Sequence, residues 1–355
     1  MFGPIHASTF KTLDAVRRAQ GETLQRLGLG TVETPSRVAG GAPGFVLRDF
    51  GAEGGGAPDL LLVPAPIKSP ALWDLMPGAS VVRSARAAGF RVWRIDWTAD
   101  GAPPADRGLD AFAGRMLAAA VDLIAAETGR RRPVLAGHSL GGTFVGLFAA
   151  RHPGVPAAVI LAEGPLAFAP GSGALADAAR AAPADAFETL DTIMPGSLLG
   201  AIAARILPDE FQWWRMSDRL LAATDPTRLR IHLAVDRWAH DEFPMPRRLF
   251  LDVLGRLYRS DAFMTGTLEL DGVRIRPQDI VAPVLAVMDP GGRVVPETAI
   301  RPALDASASG SVRTIAWRPE VGTALRHVAA LVGPDAHRRL WPDVLVWARD
   351  HATGG

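Results

Sequence analysis

The sequence predicts an α/β fold: a mostly parallel central sheet flanked by helices, with a helical cap inserted into it. Three observations carry this. Short apolar runs recur along the chain, bounded by Gly- and Pro-rich turns and separated by stretches of helical periodicity. The stretch PVLAGHSLGGTFVGLFAARHP at 133–153 reads as a strand, a sharp turn with a central serine, and a helix. Between about 166 and 258 the texture changes to alanine-rich and aromatic helical segments broken by prolines.

Taken in order, residues 6–27 place Phe10, Leu13, Val16, Leu24 and Leu27 at mostly helical spacing among basic residues. They form an amphipathic helix expected to dock on its own domain, with membrane or granule-surface contact as the alternative. A Gly- and Pro-rich loop is expected over 28–44. Strands are expected at 45–50 and 60–63, followed by the loop Pro64-Ala65-Pro66-Ile67-Lys68-Ser69-Pro70. A helix over 80–88 and a strand at 91–95 come next, then a helix over 110–127 that leads to the strand at 133–136. Further strands are expected at 157–162, 283–288 and 312–317, with a hairpin turned by Asp271-Gly272 and a final helix over 343–351. The resulting organisation is an N-terminal helix and loop (1–44), a first core part (45–165), the cap (166–258) and a second core part (259–355).

At 355 residues the chain suits one large α/β core with an insertion, or two domains. With 48% hydrophobic residues and a net charge of +1, nothing points to a nucleic-acid partner or to disorder. The absence of cysteine removes disulfides, thiolate metal sites and a cysteine nucleophile. No signal-peptide pattern and no apolar run near 18–20 residues is present, so a cytoplasmic protein without a transmembrane segment is the expectation. No metal and no cofactor is expected.

The turn at 137–141 carries the chemistry. Gly-x-Ser-x-Gly between a strand and a helix is the context of a nucleophile elbow, in which the serine hydroxyl stands at the helix N-terminus. Gly137 and Gly141 leave room for backbone that a side chain would strike. Ser139 is thus the candidate nucleophile, and the reading becomes an α/β-hydrolase fold. One oxyanion donor is the N–H of Leu140; the other comes from the loop after the 60–63 strand, where prolines have no N–H and Ala65 or Ile67 remains. The base belongs to a loop after the last strand, which selects His327, with His337 as its rival. Within the elbow, His138 is a candidate substrate-binding residue, and Trp213, Trp214 and Trp238 are the same within the cap.

The segments LLLVPAPIKSPALWDL, GFRVWRIDW, LAGHSLGGTFVGLFAARHP, LYRSDAFMTGTLELDGVRIRPQDIVAPVLAV and HVAALVGPDAHRRLWPDVLVWARDH resemble the polyhydroxyalkanoate synthases, closest to the short catalytic subunits of the two-subunit enzymes. The resemblance covers roughly 45–350 and is weakest in the cap. It implies hydroxyacyl-CoA chemistry, a cysteine–histidine–aspartate site with His327 at the histidine, and a small-molecule or polyester acyl substrate, acyl-CoA among them. A second subunit or a homodimer is the implied partner, and the surface of a polyester granule an implied location.

Two positions depart from that pattern. The family's cysteine is Ser139, and its acid falls at Gly292, ahead of Val-Val-Pro. Glu163, at the end of the strand after the elbow helix, is set slightly ahead of Asp289 as the displaced acid; loss of the acid is the third reading. A serine ester matches an oxygen ester in energy, whereas a thioester passes to serine downhill. The leading expectation is therefore a serine ester or thioester hydrolase for hydroxyacyl-type substrates. A divergent synthase and a non-catalytic granule- or partner-binding relative are the alternatives.

Overall fold

A computed structural model of the chain describes residues 7–99, 106–183, 187 and 192–353. The first six residues of the N-terminal segment, and 184–186 and 188–191 of the insertion, lie outside them. The helix α1 (Ala7–Arg26) precedes eight strands of one sheet: β1 (Arg37–Ala42), β2 (Phe45–Asp49), β3 (Asp59–Val63), β4 (Arg91–Trp97), β5 (Val134–His138), β6 (Ala158–Ala162), β7 (Val284–Met288) and β8 (Val312–Ala316). Their order across the sheet is β1-β2-β4-β3-β5-β6-β7-β8. The first two junctions, β1 to β2 and β2 to β4, are antiparallel and all the others parallel.

Alternation along the inner strands explains why they read as unbroken apolar runs. In β3, Leu61 and Val63 face one core with Phe144, Val145 and Met116, while Leu60 and Leu62 face the other with Val82, Trp341 and Leu345. A parallel sheet covered on both faces leaves no polar side. The helices α2 (Val81–Ala87), α3 (Met116–Thr128) and α4 (Leu140–Arg151) belong to these layers. Ser80 caps α2 by accepting the Arg83 N–H, and Gly129 closes α3 at φ 74°. The hairpin turn falls at Asp271 and Gly272, both with positive φ.

One element differs from expectation. The 28–44 stretch is not all loop, because β1 pairs along β2 as the sheet's edge. Its sequence RVAGGA is poor in large apolar residues, and its strand state comes from backbone pairing: a Cβ at Gly41 would lie 2.6 Å from Phe45 O.

Between β6 and β7 lie α5 (Ala174–Ala181), α6 (Gly196–Ile206), α7 (Trp214–Ala222) and α8 (Pro226–Ala239). The N-terminal helix docks here. Asp14 accepts the N–H groups of Gly196 and Ser197 at the start of α6, and Arg17 donates to Glu242 and to Ala239 O. Leu13 and Val16 of α1 remain exposed. Among the described residues no helix is long and apolar enough to cross a membrane.

Candidate active site

Parallel strands put their C-terminal ends on one edge, and an α/β sheet gathers its functional loops there. β3 delivers the Pro64 loop, β5 delivers Ser139, β6 delivers Glu163, β7 delivers Asp289, and the chain after β8 delivers His327. The serine sits at φ 54°, ψ −128°, a conformation a side chain rarely adopts. Its surroundings hold it there. Ser139 N–H donates to Ala162 O at 3.1 Å, and a Cβ at Gly137 would come within 2.3 Å of Gly141 O. Gly137 is required by that close approach. Ser139 is half-buried.

The candidate donors for a developing oxyanion come together at the same turn. A Cβ at Gly141 would lie 2.1 Å from Val63 O, so the start of α4 rests directly on the end of β3. Leu140 N–H opens α4, where the helix itself supplies no acceptor. Ile67 N–H is spent on Ala65 O at 2.9 Å, which leaves Ala65 N–H without an acceptor among the described residues. The loop is held by Trp97 Nε1 donating to Pro64 O, by Trp238 Nε1 donating to Ser69 O, and by Lys68. The Lys68 ammonium sits 2.6 Å from Glu242 Oε2 and donates to Ala239 O. Burial lowers the Lys68 pKa even though Glu242 opposes it.

His327 meets Glu163, with Nδ1 2.7 Å from Oε2. Glu163 is 3% exposed and itself takes a positive φ of 47° at the end of β6. Loss of water around the charged forms pushes Glu163 up to about 8 and His327 down to about 4. At such separation the two titrate as a unit. His327 Nε2 is buried and has no hydrogen-bond partner among the described residues; in the resting geometry it makes no hydrogen bond to Ser139. Such orphaned atoms concentrate at functional sites, and catalytic contacts commonly tighten only with substrate bound.

The other sequence-selected residues fall as follows. His138 is 5% exposed; its Nε2 donates to His327 O at 2.8 Å and its ring lies 4.6 Å from the His327 ring. Burial drives its pKa down to about 3, so it is neutral. Asp289 is gripped by Arg326 through two bonds, Nε to Oδ2 at 2.6 Å and Nη2 to Oδ1 at 3.1 Å, and also accepts Gly291 N–H. The rival histidine His337 is tied to Ser84 and to Leu331 O. Trp214 lies under the Arg326 guanidinium at 5.4 Å, whereas Trp213 is 61% exposed and Trp238 is spent on Ser69.

Sequence reasoning did not single out Arg326 or Glu210. Arg326 lines a cavity of about 340 Å³ with Asp289, Pro290, Gly291, Arg318 and Pro319. Glu210 is buried one helical turn before Trp214, and burial raises its pKa. The adjacency of Arg326 to His327 was the available signal for the first; nothing local marks the second.

A model of the alpha/beta hydrolase fold matches residues 70–234. With the strand order above, it shows the α/β-hydrolase fold and an enzyme of the hydrolase or acyltransferase type. Within that class the chain is polyhydroxyalkanoate-synthase-like. It is 26% identical over 348 residues to the poly(3-hydroxyalkanoate) polymerase subunit PhaC of Haloarcula marismortui, covering 94% of this chain and 71% of that one. To the same subunit of Allochromatium vinosum it is 24% identical, over 83% of each chain. Among solved structures, the naproxen esterase of Bacillus subtilis superposes with a TM-score of 0.55 at 14% identity, covering 93% of this chain and 98% of that one; this likeness concerns the fold.

Proposed function

We propose that the chain is a serine acyl-transfer enzyme, an ester or thioester hydrolase for hydroxyacyl-type substrates, with the 166–258 segment as cap over its site. The observation that supports it is a serine at a strained strand–helix turn on the sheet edge that also carries a buried histidine–carboxylate pair. Ser139 Oγ attacks the acyl carbonyl while His327 Nε2 takes its proton. The N–H groups of Leu140 and Ala65 receive the oxyanion. Glu163 orients the imidazole and stabilises it when it is charged, and His327 then protonates the leaving alcohol or thiol. Water, activated by the same base, releases the acid from the acyl-serine.

The relatives' PhaC similarity favours a second reading, a divergent synthase in which a chain hydroxyl replaces that water and a second subunit or second copy takes part. Turnover of matched 3-hydroxybutyryl esters, oligomers and CoA thioesters, with free acid and polymer both quantified, separates the two. Free acid alone supports the hydrolase, and polymer the synthase. Ser139→Ala should abolish both the turnover and labelling by a serine-reactive phosphonate. Labelling that survives in that variant, or none in the unsubstituted protein, sinks the catalytic reading and leaves a binding protein. Ser139→Cys tests whether polymer formation is latent in the rest of the site.

A further inference from the structure

The residues leading into His327 are held from outside the core. Asp218, on α7, is 2% exposed. Its Oδ1 accepts Gly322 N–H at 2.7 Å and its Oδ2 accepts Ala324 N–H at 2.8 Å. His232, fully buried on α8, donates from Nδ1 to the same Oδ2 at 2.8 Å. Beyond it, Asp236 Oδ2 lies 3.6 Å from His232 Nε2 and Arg215 holds Asp236.

The segment so gripped is strained. Ala324 has φ 58°, and Gly322, at φ 94°, has no room for a Cβ because Arg228 of α8 would lie 2.6 Å away. Unusual backbone persists only where its surroundings over-determine it. The next residue, Leu325, starts the short helical turn Arg326–Val328 that contains His327. Glu163 orients the imidazole and His138 the main-chain carbonyl, but neither fixes where the turn begins.

We infer that Asp218 is a positioning residue for His327: a cap-borne carboxylate that sets the 322–324 loop, so that the base is in place only while α7 is seated. This rests on the reading of His327 as base. The cap is then part of the catalytic framework as well as a cover, and moving α7 withdraws the base even when the serine and its oxyanion donors stay put. An acyl substrate or partner subunit that shifts α7 would act on rate through this carboxylate.

The test compares Asp218→Asn with Asp177→Ala. Asp177 of α5 accepts Gly171 N–H, so its loss loosens the cap away from the base loop and from α7 and α8. Asparagine keeps the size of Asp218 but offers one acceptor where two N–H groups need two. In Asp218→Asn, kcat on a 3-hydroxybutyryl ester and the labelling rate with a small alkyl phosphonate should fall together, roughly tenfold to a hundredfold, as misplacement of a reacting group does. KM should stay within about twofold. Asp177→Ala should leave phosphonate labelling unchanged. Unchanged labelling in Asp218→Asn with only KM raised overturns the inference. Hydrogen exchange on the unsubstituted protein supplies an arm that depends on neither folding of a variant nor activity. The 322–327 amides should open together with those of α7, and a loop that opens independently of α7 also overturns it. Absence of Ser139 labelling in the unsubstituted protein would instead sink the catalytic reading and leave the exchange result to decide the latch.

Discussion

At Glu163 and Asp289 two buried carboxylates sit at neighbouring strand ends, and their partners separate their roles. Glu163 faces His327, whereas Asp289 neutralises Arg326. Glu163→Gln should therefore cost roughly 10²–10⁴ in kcat, by removing the carboxyl group that orients His327 and pairs with the imidazolium. Asp289→Asn should act on Arg326, lowering the melting temperature more than kcat. Reversal of those two ranks in steady-state kinetics would put the acid at Asp289. The pH profile belongs to this scale too. Protonation removes the base, and burial lowers His327 from 6.5 to about 4. The kcat/KM plateau should therefore extend well below the ordinary histidine value and fall only as pH drops toward about 4. An acid limb near 6.5 would mean that the histidine is hydrated in the working enzyme.

At the scale of elements, the 64–70 loop depends on segments far from it in sequence. Lys68 on the loop and Arg17 on α1 both pair with Glu242, whose side chain is 1% exposed. Glu242→Gln leaves two cations facing each other in a largely dry site. It should cost about 3 kcal/mol, at the lower end for a broken buried pair, because Arg17 is partly solvated. Activity should fall with it, since the loop that presents Ala65 N–H loses an anchor. Thermal melting combined with kcat checks both halves; a stable protein with normal kcat would show that Trp97 and Trp238 hold the loop alone.

For the whole molecule, buried neutral histidines set the acid limit of stability. Burial lowers His138 to about 3 and His337 to about 4, each from 6.5. Below 6.5 the unfolded chain takes up protons that the native state refuses, so stability present above 6.5 is lost as pH falls through that window. Each such histidine contributes up to about 1.4 kcal/mol per pH step. Glu163, raised to about 8, works in the opposite sense and offsets His327. The melting temperature should thus decline from about pH 6.5 toward about pH 4, less steeply in His337→Gln. A flat melting curve across that range would contradict the assignment.

The sequence by itself determined the sheet, the serine turn and the histidine after the last strand, since each is written in local pattern. Continuous apolar runs mark strands covered on both faces, and the glycines at 137 and 141 mark backbone in contact. It read β1 as loop, because its glycines carry no apolar signal and it is a strand only because β2 lies beside it. It left Glu163 and Asp289 open, as it did Ala65 and Ile67, and gave no sign of Asp218. Those choices depend on which buried charge or N–H finds a partner tens or more than a hundred residues away, or within one loop's turn. A hydrogen bond of that kind is decided by packing, and packing exists only once the chain has folded.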